Sequence, residues 1–153
     1  MQSLEFLLTK YEIEQRYVRY CELIDHGKQF DLMGEVFTED AVGEYAQYDN
    51  VVHGLSDLIE ALHFNLGPDG NCGNTQHNVG NFRMTVDGDV VYSKAHFYAV
   101  HEGRNRFKGE VYSMWGEYED RWVRKPEGWR VAHRIYHVFL TQGPAGVVSR
   151  NAA

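Results

Sequence analysis

Tyr20-Cys21-Glu22-Leu23-Ile24-Asp25 closes a long opening helix and leaves a carboxylate beside its apolar stripe. Reading back from it, Leu4, Leu7, Leu8, Tyr11, Ile13, Tyr17, Val18, Cys21 and Ile24 recur mostly at steps of three or four, the spacing of an amphipathic helix. Gly27 ends that helix. Asp25 lies one residue past Ile24 and four past Cys21, so it shares an edge with the buried stripe. An unpaired carboxylate inside a protein is very costly, and a helix C-terminus disfavours an acid. Two readings follow. Asp25 points to solvent, or it is half of an acid–base pair whose other half lies further along the chain.

The 153 residues suit one domain with a sizeable core. Apolar content is 43% and charged content 24%, as in ordinary globular chains. Ten Tyr, eight Phe and three Trp are a high aromatic load, which fills cores and lines pockets for flat or greasy ligands. A net charge of −7 argues against a general nucleic-acid binder. Cys21 and Cys72 cannot form a disulfide framework and read as free thiols of a reducing compartment. With no long apolar run and no signal pattern, a cytoplasmic protein without membrane contact is expected.

A short helix is expected over 30–37, a strand over 41–45, a turn at Asp49-Asn50 and a return strand over 51–53. Gly54 breaks that strand, and Ser56 caps a helix over 57–64. The loop 65–74 holds three Gly and a Pro. From Thr75 the texture changes to long alternating strands over 75–86, 90–101, 110–125 and 129–140, the first two joined by Asp87-Gly88-Asp89. Residues 141–153 have no periodicity and read as a mobile arm able to cover a pocket mouth, so the domain is set at 1–140. Helices followed by an antiparallel meander make an α+β domain, a strongly curved mixed or antiparallel sheet wrapped around about three N-terminal helices.

The chemistry-bearing residues sit on those strands. Period two puts His77 with Val79, Asn81 and Arg83, opposite Phe82, Met84 and Val86; both sets are mixed, and Gly80 is a candidate bulge that switches faces. His96 lies mid-strand in step with Tyr92, Tyr98 and Val100, either a satisfied core histidine or a pocket group. His26 and His63 look exposed, His101 falls at a strand end, and His53 lies on an edge strand. His133 and His137 share a parity on the last strand. No metal-ligand spacing, Gly-rich phosphate loop or nucleophile elbow is present.

Several stretches together resemble the SnoaL-like branch of the NTF2-like superfamily, over roughly residues 8–140. They are the helix ending in Tyr20…Leu23-Ile24-Asp25, Phe37-Thr38-Glu39-Asp40-Ala41, Thr75-Gln76-His77-Asn78-Val79-Gly80-Asn81, Val86-Asp87-Gly88-Asp89, Gly116-Glu117-Tyr118-Glu119-Asp120 and Gly128-Trp129-Arg130-Val131-Ala132-His133-Arg134. The resemblance implies a cone-shaped barrel with an interior pocket, commonly a dimer or trimer. Asp25 and His77 look like the Asp–His dyad of the scytalone dehydratase, bile-acid dehydratase and hexachlorocyclohexane dehydrochlorinase group. By the same resemblance Tyr20 matches a pocket tyrosine, His96 lies near a second active-site histidine, and Arg134 loosely matches a late arginine. Tyr45, Tyr48, Asn81 and Tyr98 are the further candidates for substrate contact. The implied activity is a cofactor-independent lyase or isomerase working on a small hydrophobic, cyclic molecule. A non-catalytic binding protein and a partner like the small subunit of ring-hydroxylating dioxygenases remain alternatives, because this fold hosts all three.

Overall fold

The computed structural model describes residues 1–46 and 49–152. The elements are α1 (Leu4–Asp25), a short helix (Phe30–Glu35), β1 (Phe37–Tyr45), β2 (Asn50–His53) and α2 (Leu55–Leu66). Four long strands follow: β3 (Cys72–Asp87), β4 (Val90–Gly103), β5 (Val111–Lys125) and β6 (Gly128–Gln142). They form one mixed sheet in the order β2-β1-β6-β5-β4-β3. All neighbours are antiparallel except β1 and β6, which run parallel. The result is an α+β fold of the NTF2-like type, a curved sheet with helices on one side.

Ser3 starts α1 by accepting the Phe6 N–H on its hydroxyl, 3.1 Å away. Thr9, Ile13, Tyr17, Tyr20, Leu23 and Ile24 are its buried residues, and it packs on β3 and β6. The stripe is therefore shifted from the one the spacing suggests. Leu4, Leu7 and Leu8 are exposed because they precede the first buried residue, Thr9, and Tyr11 and Val18 because they fall off the buried stripe. α2 begins at Leu55 rather than after Ser56; Gly54, at φ +90°, is its cap residue and makes the sharp reversal out of β2. β1 starts at Phe37, not Ala41, since Phe37 already pairs with Val131 before the strand slips register and resumes at Val42.

Two features of the sheet position the site. β3 slips register against β4 between Gly80 and Arg83, with Asn81 at φ +53°. That bulge turns His77 and Val79 to the same side as Phe82, Met84 and Val86, leaving Gln76, Asn78, Asn81, Arg83 and Thr85 exposed. β4 alternates without a break: Val91, Ser93, Ala95, Phe97, Ala99 and His101 are buried beneath the helices, while Tyr92, Lys94 and His96 are exposed.

The tail is docked. β6 runs on to Gln142, the turn Ala145–Val147 follows, and Val147 is buried in the core. Asn71 Nδ2 donates to the Gly146 carbonyl at 3.2 Å, Arg106 donates to the Ala152 carbonyl at 3.1 Å, and the Arg150 guanidinium lies 4.7 Å from the centre of the Phe64 ring. A loose arm starting at Thr141 is thus replaced by a segment folded over the loops beside His101 and Tyr112. Among the described residues no helix is long and apolar enough to cross a membrane.

Candidate active site

Asp25 is the last residue of α1. Behind it Gly27 and Lys28 take positive φ, and the Lys28 ammonium donates to the carbonyls of Leu66 and Cys72. This clamp ties the end of α1 to the end of α2 and the start of β3. It sets Asp25 against Thr75 and His77. The carboxylate accepts three hydrogen bonds: from the Thr75 hydroxyl at 2.8 Å, from the His77 backbone N–H at 2.7 Å, and on Oδ1 from His77 Nδ1 at 2.7 Å.

The side chains are 6% exposed for His77 and 12% for Asp25. Burial alone would raise the Asp25 pKa, but the two bonds from His77, its charge and the Thr75 hydroxyl hold the carboxyl below its ordinary value. An ionised Asp25 can only accept, so Nδ1 of His77 donates to it, and in the neutral form of the ring Nε2 is the free base. A neutral imidazole with a carboxylate behind it is a general base.

Two rings flank His77. His101 stands edge-on, 5.5 Å between ring centres, and is almost wholly buried. Its Nδ1–H donates to the Tyr112 carbonyl at 3.1 Å. Burial first, and the neighbouring His77 second, push its pKa down to about 4, so it is neutral at physiological pH. Tyr20 lies 6.4 Å from His77, buried, with its phenol pushed well above the ordinary value by burial and therefore protonated.

Past Tyr20 the fold holds a buried cation. The Arg134 guanidinium makes two bonds to Asp120, at 2.8 and 2.9 Å, with both side chains fully buried. It lies 4.1 Å from the centre of the Tyr118 ring, 4.6 Å from Tyr20 and 5.2 Å from Phe37. Asp120 also accepts the Tyr17 hydroxyl at 2.6 Å, and Ser93 bridges Tyr17 to the Trp122 indole N–H. Arg134 Nη1 is buried without a hydrogen-bond partner among the described residues. Tyr45 stacks on Tyr136 at 4.2 Å in the same aromatic cluster, and Tyr136 in turn lies 5.5 Å from Tyr118.

The structure therefore brings Asp25, His77, Tyr20, Arg134 and Tyr45 to one side of the sheet. It sends three other candidates to the opposite side. His96 lies on the outer face, where the Asn81 amide is 3.1 Å from its Nδ1, Glu117 is 3.7 Å away and the Phe139 ring is 6.0 Å away. Tyr98 stacks on Trp115 at 5.1 Å on that face too. The physical reason is parity: β4 buries its odd-numbered residues, and the bulge at Gly80–Asn81 leaves Asn81 pointing outward. Tyr48 lies outside the described residues. His101 is the buried neighbour of His77 that the sequence reading placed only at a strand end, and its step of two from Ala99, Phe97 and Ala95 was the available signal. Among the described residues no group of three or more His, Cys, Asp or Glu is placed to hold a metal ion.

Known proteins resemble this chain in sequence or fold. An uncharacterized protein of Mycobacterium tuberculosis, Rv2910c, is 30% identical over 143 residues, 88% of each chain. The structure of a putative scytalone dehydratase from Novosphingobium aromaticivorans superposes with TM-score 0.77 at 20% identity, over 89% of this chain and 87% of that one. The LinA-type3 hexachlorocyclohexane dehydrochlorinase of Novosphingobium barchaimii gives 0.77 at 14% identity, over 97% and 98%. At those identities the likeness is one of fold. Residues 5–135 match the SnoaL-like domain, and the chain belongs to that family.

Proposed function

We propose that the protein is a cofactor-independent lyase or isomerase of dehydratase type, acting on a small hydrophobic cyclic molecule through Asp25 and His77. One observation carries the reading: a helix-end carboxylate, held ionised, grips both the ring and the backbone of a sheltered histidine. Two of the solved neighbours are named as a dehydratase and a dehydrochlorinase, which fits an elimination.

His77 Nε2 removes a proton from a carbon beside a carbonyl, and Asp25 stabilises the imidazolium that forms. The C–H electron pair becomes the new C=C bond as the C–O bond to a β-hydroxyl breaks. The imidazolium returns its proton to the departing oxygen, which leaves as water. Tyr20 and Arg134 lie buried behind the pair, and the nearby Arg134 charge favours the enolate-like state. His101, its Nδ1–H held by the Tyr112 carbonyl, packs edge-on against His77 and supports its ring.

The test is a panel of cyclic ketones and β-hydroxy ketones incubated in D2O, with deuterium uptake at the α-carbon and loss of hydroxyl followed by NMR. His77→Gln is expected to lower the rate by about 10²–10⁴-fold, the range of one acid–base group, with the fold unchanged by circular dichroism. Equal rates in the variant and its parent overturn the proposal.

A further inference from the structure

α1 is apolar on two opposite sides. One side, with Ile13, Tyr17, Tyr20 and Ile24 among its buried residues, packs on β3, β6 and the short helix. Stepped at about 100° per residue, Leu4, Leu7, Leu8, Tyr11 and Val18 gather on the other side in a stripe about 100° wide. These five side chains are between 48% and 73% exposed. A helix that is apolar all round belongs in an interior, and a contiguous apolar patch left on a surface is a contact face. Among the described residues nothing in this chain covers the stripe.

The charges beside it sort the possible occupants. Glu5, Glu12, Glu14 and Glu22 outnumber Lys10 and Arg19, so an anionic membrane or a nucleic acid is repelled. A second copy of the helix is matched. In an antiparallel pair about a two-fold axis beside Glu12, each flank of the stripe meets the same flank of its copy. On one flank Lys10 then comes opposite the partner subunit's Glu14. Lys10 and Glu14 already pair within the chain, so four charges alternate in sign across the axis. On the other flank Glu5 comes opposite the partner subunit's Arg19, and Glu12 alone meets its like. Orientation follows from Glu22, at the far end of the stripe. An antiparallel copy brings Glu22 to the N-terminus of the partner's α1, where the helix dipole favours an acid, whereas a parallel copy sets it against another Glu22.

We infer that the outer stripe of α1 is the contact face of a two-fold homodimer in which the two helices run antiparallel. Each helix is about 33 Å long, so the contact is at the small end of specific interfaces and its formation depends on protein concentration. Val18 and Glu22 also line the cleft of about 440 Å³ that holds Asp25 and His77, and the partner's first helical turn therefore stands at the mouth of that cleft. Any part the partner plays in turnover rests on the acid–base reading of Asp25 and His77; the dimer itself does not.

Sedimentation equilibrium of the full chain over rising concentration tests the contact. Leu8→Lys and Tyr11→Glu, at positions exposed in the single chain, are each expected to weaken association about ten-fold or more, with circular dichroism unchanged. Lys10→Glu weakens it as well, and Lys10→Glu combined with Glu14→Lys brings it back toward the parent. Phe139→Lys, at an exposed position on the outer face of the sheet, leaves it unchanged. A parent that stays monomeric across the range overturns the inference. So does a dimer that Leu8→Lys and Tyr11→Glu both leave within about two-fold of the parent. A dimer lost in Phe139→Lys and kept in both helix variants puts the contact on the sheet and overturns it too. His77→Gln keeps the two claims apart, because the dimer is expected to survive it. Turnover kept in His77→Gln removes the acid–base reading and leaves the dimer, and association untouched by the helix variants removes the dimer and leaves that reading.

Discussion

The two faces of this sheet use the same kind of contact for different ends. On the outer face His133 lies 2.8 Å from Glu44 and His137 2.8 Å from Glu119; on the covered face His77 lies 2.7 Å from Asp25. Distance does not separate them. Shelter and convergence do. The His137 and Glu119 side chains are 36% and 38% exposed, so water screens their attraction and such pairs contribute little. Asp25 and His77 are several-fold less exposed, and the carboxylate collects three donors rather than one. Glu119 and Asp120 put the contrast into consecutive residues. The first reaches outward to His137, and the second turns inward to a fully buried Arg134.

The most severe challenge to the contrast is Asp120→Asn. It strands a buried guanidinium, and a loss of about 3–5 kcal/mol in a denaturant unfolding curve is expected. A loss no larger than that of an outer-face variant would erase the distinction between the faces. Joint replacement by Asp120→Leu and Arg134→Met is expected to recover much of the stability, because neither charge is then left unpaired.

A smaller effect is expected from acid. His101 titrates at about 4 in the fold against an ordinary 6.5, held neutral by burial with His77 behind it, while Asp25 pulls the other way. A depressed histidine is stabilising above its unfolded value, and that contribution drains away as pH falls from 6.5 toward 4. The full span amounts to on the order of 3 kcal/mol. His101→Gln should flatten this part of the stability–pH curve. An unaltered slope would mean that His101 is not the group responsible. Smallest of all, Glu119→Gln should shift stability by no more than about 0.5 kcal/mol, and less in high salt.

The pairing of Asp25 with His77 was legible through the family resemblance, and local rules only flagged its halves. An acid at a helix C-terminus and a histidine opening a long strand both ask for partners. The α+β order was equally readable from the change of period at Thr75. What period two could not supply was the identity of the inner face. Both faces of β4 carry aromatic or apolar residues, Phe97 within and Tyr92 and Tyr98 outside, so His96 resembled a pocket residue. His101 looked peripheral because it ends its strand, yet that end lies beside His77 and beneath the docked tail. The tail itself gave no warning. One buried valine, Val147, and a few backbone bonds hold a segment that has no periodicity at all.

The extra residue at Gly80–Asn81 has a consequence for descent. Gly80 pairs with His96 and Arg83 with Lys94, so losing Asn81 would only restore regular alternation and keep His77 on the side of Phe82, Met84 and Val86. Losing a residue of the regular ladder, such as Thr85, would instead turn His77 out to water and bring Gln76 and Asn78 to Asp25's side. Lineages of this fold can therefore silence such a centre by losing one codon, with every chemically active side chain still spelled out in the gene.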